Sequence, residues 1–94
     1  MYYVYILKSL KQNLIYVGYT TNLKQRVVSH NSDNSSDSFT YRNRPWKLVY
    51  YESYLNEDDA RDREKNLKNY GKGLILLKKR ITRSLGCAGN RQTR

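Results

Sequence analysis

The chain reads as an α+β protein: a three-stranded antiparallel sheet flanked by helices, in the order β-β-α-β-α-α. Three observations predict this. Runs of aromatic and β-branched residues without polar alternation occupy 2–8 and 14–19. A third such run, Trp46 to Tyr54, follows Pro45. Elsewhere the apolar residues recur at spacings of three and four, the period of a helix.

Residues 2–8, Tyr-Tyr-Val-Tyr-Ile-Leu-Lys, have apolar side chains on both strand faces and so predict an interior strand. Residues 14–19, Leu-Ile-Tyr-Val-Gly-Tyr, read the same way. A register with Tyr5 opposite Tyr16 sets Lys8 opposite Asn13 and leaves Ser9 to Gln12 as a four-residue hairpin loop. Strand alternation then puts Tyr3, Tyr5, Tyr16 and Gly18 on one face.

Thr20, Thr21 and Asn22 offer caps for a short helix from about Asn22 to His30, in which Leu23, Val27 and His30 share a side. Asn31 to Ser38 contains only Asn, Ser and Asp and predicts a loop. Asn56 caps a second helix running to about Tyr70, whose acidic first turn, Glu57-Asp58-Asp59, suits the helix dipole. Gly71 and Gly73 end it. Leu74, Leu77, Ile81 and Leu85 then form the apolar stripe of a third amphipathic helix. A single domain over residues 1–85 and a flexible tail over 86–94 complete the expected organisation.

Composition restricts function. Lys+Arg 18 against Asp+Glu 8 gives a net charge of +10 and favours a polyanionic partner. The excess is concentrated: residues 61–94 carry eleven Lys/Arg and two acids, whereas 1–60 carry seven and six. One Cys and one His rule out zinc sites built from clustered His/Cys ligands, and a Walker-type phosphate loop is absent. The lone Cys87 fits a reducing cytoplasm, and no apolar run is long enough to span a membrane.

Several residues stand out chemically. Glu64 lies on the stripe of Ala60 and Leu67, which should face the sheet; a buried carboxylate there must be paired, protonated or bound to a cation. An ion pair with Arg26, Arg61 or Lys68 would satisfy it, and so would a Mg²⁺ ion. Tyr5 and Tyr16 serve either packing or catalysis, and Gly18, on the face of Tyr16, allows close approach by a substrate backbone. Arg26 and His30, one turn apart, can present a guanidinium and an imidazole to one phosphate. Arg44, Lys65 and Lys68 belong to basic stretches suited to phosphate contact.

Taken together, these blocks resemble the GIY-YIG endonuclease superfamily, in particular its small bacterial members similar to the catalytic domain of the UvrC excision-repair nuclease. The resemblance rests on Tyr3-Val4-Tyr5-Ile6-Leu7, Tyr16-Val17-Gly18-Tyr19-Thr20, Asn22-Leu23 with Arg26 and His30, Arg44-Pro45-Trp46 with Leu48-Val49-Tyr50, and Ala60 with Glu64 and Leu67-Lys68. It implies metal-dependent hydrolysis of DNA phosphodiesters. Under it Tyr5 would be general base or water-positioning group, Tyr16 would orient water or phosphate, Arg26 would bind the scissile phosphate, His30 would assist, and Glu64 would hold Mg²⁺ or Mn²⁺. Tyr3 stands where the first glycine of the family name would be, Val replaces Ile in both tripeptides, and Leu76 stands where many relatives carry an asparagine.

The expected activity is therefore a Mg²⁺-dependent endonuclease of DNA repair or recombination. Its substrate would be DNA, branched or damaged forms included and RNA not excluded, cut by a cytoplasmic monomer directed by a targeting protein. A non-catalytic nucleic-acid-binding module on the same fold is the principal alternative. A structural protein whose basic helix docks on an acidic partner is a third.

Overall fold

A computed structural model describes residues 1–32, 38–69 and 71–89. Its elements are β1 (Tyr2–Ser9), β2 (Ile15–Thr20), α1 (Leu23–His30), α2 (Ser38–Arg42), β3 (Trp46–Tyr54), α3 (Glu57–Lys68), α4 (Lys72–Arg80) and α5 (Thr82–Gly89). The three strands form one antiparallel sheet in the order β2-β1-β3. β1 is interior, as predicted, but β2, read the same way, is an edge. Its apolar residues cover both faces, with Val17 in one core and Tyr16 against the other, and no strand among the described residues lies on its outer side.

The hairpin register differs from expectation by two residues. Tyr5 pairs with Gly18 and Leu7 with Tyr16. Ser9 organises the turn: its hydroxyl accepts the N–H groups of Lys11 and Gln12 at 3.1 and 3.0 Å, and its own N–H donates to the Leu14 carbonyl. The loop thus starts one residue later than predicted. A shift of two leaves every side chain on its expected face, so Tyr3, Tyr5, Tyr16 and Gly18 still share one.

Each face of the sheet has its own core. Val4, Ile6 and Val17 pack with Ala60, Leu67, Leu74, Leu77 and Ile81 of the C-terminal helices. On the other face, Tyr5, Leu7 and Trp46 are covered by Leu23 and Val27 of α1 and Phe39 of α2. A bulge in β3 divides its residues between these cores: Leu7 pairs with Leu48 while Ile6 pairs with Tyr50, so Val49 is the extra residue. Val49 and Tyr50 both join the first core, and Leu48 and Trp46 turn to the second. Full burial of each large apolar side chain contributes about 1.5–3 kcal/mol.

α1 starts where its cap predicts, with the Asn22 side chain accepting from Gln25 N–H. α2 was not expected: five residues beginning in a polar run carry little periodicity. Its order comes from tertiary contacts, since Thr40 is fully buried and its carbonyl accepts from the Trp46 indole at 2.8 Å. Most of the expected loop, 33–37, lies outside the described residues, as do Tyr70 and 90–94.

Two helix boundaries also differ. Gly71 caps α4 and Gly73 lies inside it rather than ending α3. The Asn66 side chain fills the position that a Cβ on Gly73 would take, so this glycine lets α3 and α4 approach. The third amphipathic helix is two helices, α4 and α5, joined at Ile81. The Thr82 hydroxyl donates to the carbonyls of Lys78 and Lys79, drawing the backbone away from a continuous helix. The apolar stripe nevertheless continues across the joint through Leu74, Leu77, Ile81 and Leu85. α5 runs to Gly89, past the tail start expected at Gly86.

Candidate active site

Tyr5 is the centre of the second core and has no exposed surface. Its ring leans across the hairpin over Gly18, its cross-strand neighbour. A Cβ at Gly18 would run into the Tyr5 hydroxyl and ring. Gly18 is itself buried, so its missing side chain is used by Tyr5 rather than left open to a substrate backbone, and this corrects its expected role.

The Tyr5 hydroxyl lies 2.8 Å from His30 Nε2, a buried hydrogen bond between β1 and the last residue of α1. The phenol donates when the imidazole holds its proton on Nδ1. His30 is 2% exposed. Its ring centroid is 4.7 Å from that of Tyr16, and the Tyr5 and Tyr16 centroids are 6.4 Å apart. Phe39 and Trp46 close on Tyr16 from the side, at 6.4 and 6.2 Å. The three titratable rings are therefore held by packing as well as by hydrogen bonding.

Burial pushes the Tyr5 phenol up to about 12, and Tyr16 adds to the shift. Arg26 opposes it through its charge and side-chain hydrogen bonding, while Glu64 adds a smaller upward contribution. Four of the expected residues, Tyr5, Tyr16, Arg26 and Glu64, are thus electrostatically in touch, with His30 bonded to the first. Arg26 alone does not make a phenolate: desolvation outweighs the cation, and Tyr5 is a neutral phenol at pH 7.

Glu64 occupies the flank of the α3 stripe. Ala60 and Leu67 on either side are fully buried, whereas the Glu64 side chain keeps 18% of its surface. Of the three cations considered for it, Lys68 is the partner, with Nζ 3.1 Å from Oε2 and one helical turn away. That ammonium also lies 6.0 Å from the centre of the Tyr16 ring. Arg44 is engaged with Tyr41, its guanidinium 4.2 Å above the ring, and Lys65 is exposed on α3.

A divalent ion fits this donor set in type. Glu64 is a hard oxygen donor, and one carboxylate with water and substrate oxygens suits Mg²⁺ or Mn²⁺. Among the described residues no three of His, Cys, Asp or Glu gather, so an ion at Glu64 would take most of its ligands from water and substrate.

Sequence reasoning missed a second polar cluster. Glu52 on β3 accepts from the Tyr50 and Tyr54 hydroxyls and from Arg63 Nε and Nη2, the latter two at 3.0 Å. The alternation Tyr50, Glu52, Tyr54 placed these groups on one strand face and was the available signal.

Comparison with known proteins identifies the family. The GIY-YIG catalytic domain matches residues 1–73. A UPF0213 protein of Staphylococcus haemolyticus is 38% identical over 71 residues, covering 76% of this chain and 84% of the relative. One from Pediococcus acidilactici is 45% identical over 64 residues, 67% of this chain and 64% of the relative. One from Clostridium perfringens is 41% identical over 68 residues, 72% and 71%. No solved structure gives a significant match. The matched region contains both tyrosine strands, the Arg26–His30 helix and the Glu64 helix, and the chain belongs to the GIY-YIG family.

Proposed function

We propose that the protein is a divalent-cation-dependent endonuclease that hydrolyses phosphodiester bonds in DNA, acting in the cytoplasm in repair or recombination. The observation that carries this reading is the buried Tyr5–His30 hydrogen bond beside Arg26 and Glu64. Arg26 and Glu64 both act electrostatically on the Tyr5 hydroxyl, in opposite senses, as groups that bind a phosphate and a cation beside it would.

Arg26 is exposed on α1 and binds the scissile phosphate, where its planar guanidinium stabilises the charge that grows on the phosphoryl oxygens. Tyr5, with its high pKa, is a positioning group before it is a base: its hydroxyl, enclosed in the substrate-free protein, orients the attacking water once substrate binding opens the site to it. As the water oxygen bonds to phosphorus, Tyr5 takes a water proton while passing its own to His30 Nε2, so no free phenolate accumulates. The phosphorus–oxygen bond to the leaving sugar breaks, and that oxygen takes a proton from solvent. Tyr16, held against His30, orients the water or phosphate from the neighbouring strand. Glu64 would hold Mg²⁺ or Mn²⁺, which when bound supplies Lewis acidity to the phosphate.

The basic C-terminal third supplies sequence-independent attraction to the strand. No helix among the described residues is long and apolar enough to cross a membrane. A second reading, DNA binding without cleavage, draws on Leu76: it is 55% exposed and brings no hydrogen-bonding group where many relatives carry asparagine.

The test is cleavage by purified protein of duplex, branched and single-stranded DNA, and of RNA, with Mg²⁺ or with chelator. Cleavage that needs the metal and disappears in both Glu64→Ala and Tyr5→Phe supports the enzyme. Salt-sensitive DNA binding with no cleavage of any substrate replaces it with the binding module.

A further inference from the structure

Lys68 lies between Glu64 and the ring of Tyr16, two of the residues assigned to the proposed site. Its Nζ is 3.1 Å from Glu64 Oε2 and 6.0 Å from the Tyr16 ring centre. The two partners differ in freedom: the Glu64 side chain is 18% exposed and Lys68 is 48% exposed. Glu64 lies between the buried Ala60 and Leu67 on the α3 stripe, whereas the more exposed lysine stem can swing into solvent. Lys68 is therefore the member of the pair that can leave.

We propose that Lys68 is an exchangeable counter-ion of Glu64, displaced when a divalent cation binds and then available to the phosphate of the strand. This rests on the reading of Glu64 as the cation ligand. An ammonium and a divalent ion cannot both sit on one carboxylate oxygen without strong mutual repulsion. In the cation-free state the pair is neutral and keeps a buried-flank carboxylate satisfied. Once the ion takes Glu64, the site becomes net positive, and the released ammonium remains tethered beside Tyr16. Cation binding and strand binding then reinforce each other, since each favours the arrangement in which Lys68 has left Glu64. Arg61, whose guanidinium also feels Glu64, is committed to Glu57 at 3.1 Å and to the Tyr19 ring, so it does not share this role.

The experiment is a Mn²⁺ titration of the intact protein, followed by the electron paramagnetic resonance of free Mn²⁺, for wild type, Lys68→Gln, Lys68→Arg and Glu64→Gln. Lys68→Gln removes the competitor and should bind Mn²⁺ about three- to tenfold tighter than wild type. Lys68→Arg should bind no tighter than wild type, because a guanidinium forks onto the same carboxylate. Glu64→Gln should lose the site. A role confined to helix support would change thermal stability and leave these affinities alone. Equal or weaker Mn²⁺ binding by Lys68→Gln, with Glu64→Gln still defective, overturns the exchange while leaving Glu64 as ligand. If no variant binds Mn²⁺ more tightly than Glu64→Gln, the ligand assignment fails and the exchange with it.

Discussion

Glu52 and Glu64 are two carboxylates with nearly equal exposure, 16% and 18%, in opposite chemical situations. Glu52 is enclosed by Tyr50, Tyr54 and Arg63, whose hydrogen bonds saturate its oxygens. Burial works against its ionisation, yet the bonds from Arg63, Tyr50 and Tyr54 prevail and hold its pKa below the ordinary value. Glu64 has one close side-chain partner among the described residues, a half-exposed lysine. Glu52 joins β3 to α3 through Arg63, whereas Glu64 is paired within its own helix to a more exposed side chain. Nearly equal burial of two carboxylates thus goes with different numbers of partners and different exposure of those partners.

The largest separation between the two should appear in catalysis. Glu64→Gln should lower metal-dependent cleavage by about a thousandfold or more, with DNA affinity equal or higher and the melting temperature nearly unchanged. Glu52→Gln should leave the rate of the folded protein within about twofold, since it touches none of the reacting groups. Single-turnover cleavage and a thermal melt on both variants check this. Comparable rate losses in the two would erase the distinction.

Next comes the Tyr5 phenol. Tyr5→Phe keeps the ring's packing and deletes the hydroxyl bonded to His30, so the rate should fall about a hundredfold or more while stability changes far less. Gly18→Ala should act through the same residue. Its Cβ would force the Tyr5 ring aside, at about 1–3 kcal/mol in stability and about a tenfold or greater loss of rate. A fully active Gly18→Ala variant would mean that the Tyr5 position is not critical.

The Glu52 cage should dominate stability instead. Glu52→Ala leaves Arg63 and two tyrosine hydroxyls without their acceptor, at about 2–4 kcal/mol by denaturant unfolding. The pH profile carries a sign. Because the folded pKa of Glu52 is depressed, its contribution is present above the unfolded carboxylate value and is lost as pH falls through the folded one; Glu52→Gln should flatten that acid limb. On the alkaline side Tyr5 and Tyr54 are both pushed up to about 12 by burial. Their raised values make the associated stability complete below about pH 10 and lost as pH rises toward 12. Tyr54→Phe should soften this limb without altering cleavage.

Much of this contrast could be read from sequence, and the failures have identifiable causes. β3, the Asn22 and Asn56 caps and the shared face of Tyr5 and Tyr16 follow from local pattern, because alternation and capping act over a few residues. The register did not, since it depends on the Ser9 hydroxyl choosing where the turn begins. α2 escaped because Thr40 and Trp46 define it through a contact rather than through periodicity. For Glu64, helical spacing brought Lys68 within reach but could not choose it over Arg26 or Arg61. Gly18 was assigned to the substrate because its cross-strand partner, and hence the ring that fills its space, depended on the register.

The central claim is that Glu64, and not Glu52, is the cation-binding carboxylate. Anomalous diffraction from a Mn²⁺-soaked crystal tests it most directly. A peak within about 2.0–2.3 Å of a Glu64 oxygen, with the Lys68 ammonium withdrawn and Glu52 still bound to Arg63, is the predicted result. An ion at Glu52, or a Glu64–Lys68 pair that stays closed with no ion at saturating Mn²⁺, would contradict the account.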